Sequence, residues 1–165
     1  MRQESFFQTK RLACAMTGHR RLPKDFDVEQ VNNVLEQLLQ EGVITFYNGL
    51  AVGFDLLCAE LLIALKKKYP HLRLIGCVPY YGQEKSFPAE DKKRYVAALK
   101  ECDEVVTLSQ NYYRGCCLVR DDYMVAQADV LVAYCVKKTG GAAYTLKKFL
   151  KRHDKDETDV IFVGI

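Results

Sequence analysis

The fold is decided by VITFYNGLAVGFDLLCAELLIALKKKYP, residues 43–70. Its first six residues form a short, mostly apolar run of the length of a buried strand. A turn that contains Gly49 and Gly53 follows, and leucines then recur at helical spacing as far as Tyr69, where Pro70 ends the pattern. A strand that passes through a glycine turn into a helix is one βα unit of an α/β protein.

The same unit recurs on both sides of this stretch. The predicted strands are Leu12–Thr17, Val43–Asn48, Leu72–Val78, Glu104–Leu108, Val130–Cys135 and Val160–Val163. Between them we predict five helices. The first runs from Asp27, with Gln30 as its capping box, to Gly42, and the second covers residues 53–69. The third begins near Pro88 and packs through Tyr95, Val96 and Leu99, and the last two cover residues 118–128 and 141–152. This order predicts the α/β class: a three-layer, doubly wound, mostly parallel Rossmann-like sheet with helices on both faces.

Length and composition are those of one ordinary globular domain. The chain has 165 residues, of which 49% are hydrophobic and 27% charged, so collagen-like and wholly disordered classes are excluded. We expect a flexible leader at residues 1–10 and a single domain at residues 11–165. The net charge of +3 is too small to indicate a nucleic-acid binder, although it is compatible with a small anionic ligand.

Cysteine usage argues against a metal site and for a reducing compartment. The seven cysteines form no C-x-x-C pair, and His19, His71 and His153 lie near none of them in sequence. We therefore predict no metal. No apolar run reaches the length of about 18 residues that a membrane span needs, and residues 1–10 lack a signal sequence. The sequence thus predicts a cytoplasmic protein without membrane contact.

Polar and glycine-rich segments follow four of the predicted strands. In an open parallel sheet, ligands bind outside the carboxyl ends of the strands, at the point where the strand order reverses. The segments are residues 17–21, 48–55, 79–82 and 137–142. The residues that we predict to bind a ligand are Thr17, Gly18, His19, Arg20, Gly49, Leu50, Ala51, Gly53, Asp55, Pro79, Tyr80, Arg120, Gly140, Gly141 and Ala142.

Two glycine turns are candidate phosphate cradles. Gly49 and Gly53 precede the second helix, where backbone N–H groups and the helix dipole attract an anion. Gly140 and Gly141 precede the fifth helix and offer the same chemistry, with Lys137 just before them. A plain loop or turn is the alternative for each pair, because neither matches a Walker A or G-x-G-x-x-G pattern.

Several side chains have both a ligand-binding and a structural interpretation. His19 and Arg20 can grip a phosphate or can belong to a basic surface turn. Asp55 can accept from ribose hydroxyls, or can simply be an acid that the helix dipole favours. Arg120 can contact a ligand or take part in helix capping, and Tyr80 can stack on a base or cover the sheet edge.

Taken together, these motifs resemble the YpsA-like branch of the SLOG superfamily, which includes DNA-processing protein DprA and the LOG phosphoribohydrolases. The matching pieces are Thr17 to Arg20, Gly49 to Asp55 with Cys58 to Glu60, Pro79 to Lys85, Arg120 to Met124 and Gly140 to Thr145. The resemblance implies a doubly wound sheet that binds a nucleotide or a nucleotide derivative, of the ADP-ribose or NAD kind, without a required cofactor. It implies a ligand sensor, with a homo-oligomer and a protein partner left open.

The chain departs from the phosphoribohydrolases at the fifth-strand loop. Those enzymes read P-G-G-x-G-T-x-x-E there, whereas this chain has Ala143 in place of the third glycine and Lys147 near the expected catalytic acid. Cleavage of an N-glycosidic bond needs a positioned carboxylate. Asp55 and Glu60 are the candidates for that role, so an N-glycosidase, phosphoribohydrolase or deoxyribosyltransferase is the alternative function. Beside a ligand contact, an ion pair and a solvated helix face are the other interpretations of Glu60.

Overall fold

Residues 11–165, which the computed structural model describes, form a six-stranded sheet with five α-helices. The expected leader, residues 1–10, lies outside the described residues. The strands are β1 (Ala13–Gly18), β2 (Thr45–Asn48), β3 (Arg73–Val78), β4 (Glu104–Thr107), β5 (Val130–Tyr134) and β6 (Val160–Phe162). The helices are α1 (Val28–Gln40), α2 (Phe54–Leu65), α3 (Ala89–Glu101), α4 (Cys116–Gln127) and α5 (Gly141–Leu150).

All neighbouring strands of the sheet are parallel, in the order β4-β3-β2-β1-β5-β6. The chain builds outward from β1 to one edge as far as β4, then crosses back through α4 and continues with β5 on the other side of β1. The strand order therefore reverses between β1 and β5. The sheet is doubly wound, as the sequence predicts, and parallel throughout.

Helices cover both faces of the sheet. Alternate strand residues point to opposite sides, so that Phe46 packs in the cluster with α1, α2 and α3, whereas Tyr47 packs against the cluster with α4 and α5. Burial of each large apolar side chain contributes about 1.5–3 kcal/mol. Among residues 11–165, no helix is long and apolar enough to cross a membrane.

The helices differ from the prediction in a few details. The helix of residues 53–69 ends as α2 at Leu65. Asp27 caps α1 by accepting from the Gln30 N–H at 2.9 Å, but the Gln30 side chain accepts from the Gly164 N–H instead of completing a capping box. Val96, which we expected in the core, is 41% exposed, because α3 packs through Tyr95 and Ala98.

Candidate functional site

The candidate site lies where the strand order reverses. Gly18 and Tyr134, the last residues of β1 and β5, are register partners at the carboxyl edge of the sheet. The chain then leaves these two strands toward opposite faces, which opens a crevice between them. A cavity of about 390 Å³, here called the switch-point cavity, is lined by Gly18, His19, Arg20, Arg21, Lys137, Thr139, Gly140, Gly141 and Ala142.

The lining of the switch-point cavity is strongly basic. Arg20, Arg21 and Lys137 are exposed, and no carboxylate belongs to the lining. Within the described part of the chain, none of these three cations forms an ion pair. Three cations without a protein counter-charge make the cavity attractive to an anion, and arginine suits the two-pronged geometry of phosphate.

His19 joins the two loops that form the cavity. Its Nε2 accepts from the Val136 N–H at 2.9 Å and lies 3.4 Å from the Lys137 nitrogen. The ring also packs edge-on against Tyr134, at 5.0 Å between centroids. Burial and the Lys137 charge both lower the pKa of His19, which keeps Nε2 free of a proton. Only Nδ1 is therefore left to donate to a ligand, since Nε2 holds the loop after β5.

The N-terminus of α5 is open toward the cavity. Gly140 has φ +99°, and a Cβ built on Gly140 or Gly141 would meet nothing within 4 Å. Among residues 11–165, no acceptor is found for the backbone N–H groups of Gly141, Ala142 and Ala143; the first bond of the helix is Tyr144 N–H to the Gly140 carbonyl. Free N–H groups at the positive end of a helix dipole, without side chains in the way, form an anion-binding cradle.

The N-terminus of α2, the other predicted cradle, is closed by the protein itself. The Phe54 N–H donates to the His19 carbonyl at 3.1 Å. Gly53 has φ +90°, and a Cβ there would lie 2.3 Å from the Arg20 carbonyl oxygen. The Gly18 Cβ would likewise lie 2.4 Å from the Phe54 ring. These glycines allow the loop after β1 to pass over α2, so Gly53 has a packing role and faces no open space.

Arg120 is buried and forms hydrogen bonds with the backbone at the ends of β2 and β3. Its side chain is 4% exposed and donates to the carbonyls of Gly49 at 2.8 Å and Cys77 at 3.3 Å, and to Asp121 at 2.7 Å. A Cβ on Gly49 would lie 2.7 Å from Arg120 Nη1, so this glycine leaves room for the guanidinium. These contacts are not the helix cap that the sequence suggested; they position the ends of β2 and β3.

The two candidate catalytic carboxylates lie outside the lining of the cavity. Asp55 is 7% exposed beneath the turn after β2, and burial raises its pKa to about 7 against the opposing charge of Arg120. Glu60 lies further along α2 and forms an ion pair with Arg94 of α3 at 2.6 Å. Leu50 of the same turn is buried with φ +55°, and its N–H donates to Asn48 Oδ1 at 2.7 Å.

Both the sequence and the fold of this chain have known relatives. The sequence profile of the YspA SLOG family matches residues 26–165. The chain belongs to this family. A UPF0398 protein of Halalkalibacterium halodurans is 31% identical over 126 residues, which make up 74% of this chain and 67% of that protein. The UPF0398 protein YpsA of Bacillus subtilis is 26% identical over 136 residues, or 81% of this chain and 76% of YpsA.

A solved structure shares the fold of this SLOG-family protein. DNA processing protein A from Helicobacter pylori, a structure described by its single-stranded DNA binding mode, matches with a TM-score of 0.66 and 18% identity. The match covers 93% of this chain and 65% of that chain, so the SLOG-family protein spans less than two thirds of its structural neighbour. At this identity the likeness concerns the fold.

The structure brings together six of the predicted ligand-binding residues of the SLOG-family protein. Those that line the cavity are Gly18, His19, Arg20, Gly140, Gly141 and Ala142. The others lie outside its lining: Thr17, Gly49, Leu50, Ala51, Gly53, Asp55, Pro79, Tyr80 and Arg120. Tyr80 packs edge-on against Tyr112, with 5.4 Å between the ring centroids. The prediction omitted Arg21, Lys137 and Thr139, although they flank the predicted residues and two of them are basic.

Proposed function

We propose that this SLOG-family protein is a sensor-type protein that binds a nucleotide derivative of the ADP-ribose or NAD kind, with its phosphates in the switch-point cavity. One observation carries the proposal: the open N-terminus of α5 faces Arg20, Arg21 and Lys137 across a cavity without a carboxylate. Resemblance to the SLOG superfamily supplies the nucleotide part of the proposal. No cofactor is required for binding of this kind.

The chemistry of the cavity suits a phosphate ester in particular. A phosphate can accept from the free N–H groups of Gly141 and Ala142, while an arginine donates to it through two parallel hydrogen bonds. Because the glycines present no side chain, the anion can approach the backbone closely. The same groups would bind a carboxylate more weakly, since it has fewer acceptor oxygens and a smaller charge.

We propose binding without turnover as the principal function. Cleavage of an N-glycosidic bond requires a carboxylate beside the reacting carbon. Glu60 is engaged by Arg94, and Asp55 lies buried under the turn after β2, so neither is presented to the cavity. A ligand should therefore be recovered unchanged. We also propose a small ligand rather than nucleic acid, because the net charge is only +3 and the cavity itself holds only three cations, Arg20, Arg21 and Lys137.

A thermal-shift panel tests this function. The panel contains AMP, ADP, ADP-ribose, NAD, inorganic pyrophosphate and a single-stranded DNA oligonucleotide, and each stabilising ligand is examined by chromatography after incubation. A ligand at about 100 times its Kd adds about 2.7 kcal/mol, a shift of about 5–10 °C for a chain of this size. We expect a shift with an intact nucleotide. Release of free base would establish the alternative enzyme, and a shift with the oligonucleotide alone would favour nucleic-acid binding.

A further inference from the structure

A second cavity adjoins the switch-point cavity on the other side of the loop after β5. It has a volume of about 510 Å³ and lies between the N-terminal parts of α4 and α5; we call it the α4–α5 cavity. It is lined by Leu118, Lys138, Thr139, Gly140, Gly141, Ala143, Tyr144 and Lys147. Each of the two cavities has a volume in the range of small-molecule sites, about 300–1,000 Å³.

The two cavities share one wall. Thr139, Gly140 and Gly141 line both of them. Gly140 and Gly141 carry no side chain, and the space above each is open, because a Cβ there would meet no atom within 4 Å. A ligand bound over the N-terminus of α5 can therefore extend from one cavity into the other without meeting a barrier.

The α4–α5 cavity differs in chemistry from the switch-point cavity. Leu118, in the first turn of α4, is 38% exposed and presents apolar surface to this cavity. The Tyr144 hydroxyl is engaged, since it donates to Asp122 at 2.8 Å, so this residue offers its ring. Leu118, Ala143 and Tyr144 thus provide apolar and aromatic surface, with Lys138 and Lys147 as the only charged lining residues.

On the basis of the function proposed above, we propose that the α4–α5 cavity holds the base of a nucleoside diphosphate, or of an ester of one, whose phosphates lie in the switch-point cavity. The ligand crosses Gly140 and Gly141, with its charged part on the side of Arg20 and its planar ring against Leu118 and Tyr144. Apolar contact with Leu118 and stacking on the Tyr144 ring bind the base. The lining contains no amide or carboxylate side chain that would form hydrogen bonds with the edge of the base.

Calorimetric titration of single variants measures separately how the phosphates and the base of the ligand contribute to its affinity. Inorganic pyrophosphate probes the switch-point cavity alone, and ADP, GDP, CDP and UDP probe both. Leu118→Ala and Tyr144→Ala should weaken the binding of the preferred nucleoside diphosphate by at least about fivefold, as loss of base stacking does, and leave pyrophosphate binding unchanged. Arg20→Gln should weaken both classes of ligand.

Matched controls distinguish the cavity from its surroundings. Val119→Ala removes the neighbouring exposed side chain, which does not line the cavity, and Tyr144→Phe keeps the ring while it removes the bond to Asp122. Val119→Ala should bind as the wild type does, and Tyr144→Phe should restore the affinity for the nucleoside diphosphate that Tyr144→Ala loses. The inference is overturned if no nucleoside diphosphate binds more tightly than pyrophosphate, or if Leu118→Ala and Tyr144→Ala weaken both ligand classes equally. Failure of pyrophosphate and all nucleotides to bind overturns the proposed function and the inference with it.

Discussion

At the residue scale, a substitution at Gly141 can separate an effect on ligand binding from an effect on folding. The space above it is open, and it is the first residue of α5, where an acidic side chain is favoured by the helix dipole. We expect Gly141→Asp to leave the melting temperature unchanged or raised, and to abolish ligand binding because its carboxylate occupies and repels the anion site. Thermal melts and calorimetry on this variant, with Gly141→Ala as the uncharged control, measure the two effects. Retained binding in the Asp variant would exclude the α5 cradle.

In contrast to the substitution at Gly141, a substitution at Gly53 should destabilise the fold. Its φ of +90° disfavours any side chain, and a Cβ would clash with the Arg20 carbonyl at 2.3 Å. We expect Gly53→Ala to lower the free energy of unfolding by more than the cost of the backbone strain alone, which is about 1–3 kcal/mol. Gly115→Ala is the control, because it has φ +91° without any neighbour within 4 Å. If Gly53→Ala and Gly115→Ala lower the free energy of unfolding in urea by the same amount, the loop after β1 does not press on Gly53.

Gly141 and Gly53 also show what a local sequence pattern cannot predict. The sequence offered both glycine turns as candidate phosphate cradles, because each precedes a helix, and the local pattern does not show which of the two is open. The two turns differ because residues 19–20 pack over the N-terminus of α2 and close it. This contact joins segments that are more than 30 residues apart in the chain. Such a contact depends on the packing of the loop after β1, which no local pattern encodes.

Asp55 should make stability depend on pH. Burial raises its pKa in the folded state to about 7, above the unfolded value of about 3.9. Between these values the folded protein binds more protons than the unfolded chain, so this group lowers the free energy of unfolding as the pH rises from about 4 to about 7. We expect Asp55→Asn to lack this decline.

Urea unfolding at several pH values measures the effect as the difference between wild type and Asp55→Asn. The difference should grow in favour of the Asn variant up to about pH 7 and then level off. The exposed Asp25 provides the control, since Asp25→Asn should track the wild type. A constant difference across the range would mean that Asp55 keeps its ordinary pKa in the folded protein.

At the element scale, the loop after β5 depends on His19. The hydrogen bond from the Val136 N–H to Nε2 requires an unprotonated nitrogen, and the pKa of His19 is lowered by burial and by Lys137. We expect the Val136 amide to exchange faster in His19→Ala, with the exposed His71→Ala as control. In the wild type its protection, corrected for the intrinsic exchange rate, should be retained above pH 6.5 and lost as the pH falls through the lowered pKa.

If the Val136 amide exchanged at the wild-type rate in His19→Ala, the loop would hold its position without His19.

The helices and strands themselves were accessible to prediction, because their apolar residues recur at helical spacing or form short apolar runs of strand length. Val96 was predicted wrongly because helical spacing alone could not tell which flank of α3 faces the sheet. Only the neighbours of an element determine that orientation.

At the scale of the whole molecule, the position of the site follows from the strand order. Sequence analysis placed polar residues after four strands and expected all of them to converge. The observed order puts β1 beside β5 and sends β2, β3 and β4 to one side, so the loops after β1 and β5 line the cavity and those after β2 and β3 do not. The resemblance to the SLOG superfamily supplies the class of ligand that we propose, while the topology of the sheet determines which loops line the cavity.

The most direct test of an anion site at the switch point is a calorimetric titration of ADP-ribose into the wild type and the double variant Arg20→Gln/Arg21→Gln. Both side chains are exposed, so the variant should fold as the wild type does, and Lys92→Gln on α3 controls for loss of an exposed cation elsewhere. We expect saturable binding by the wild type and the Lys92 variant and at least about tenfold weaker binding by the double variant, as loss of charged hydrogen bonds implies. Equal affinity in all three proteins, or no heat of binding in any, would contradict the assignment of this cavity as the ligand site.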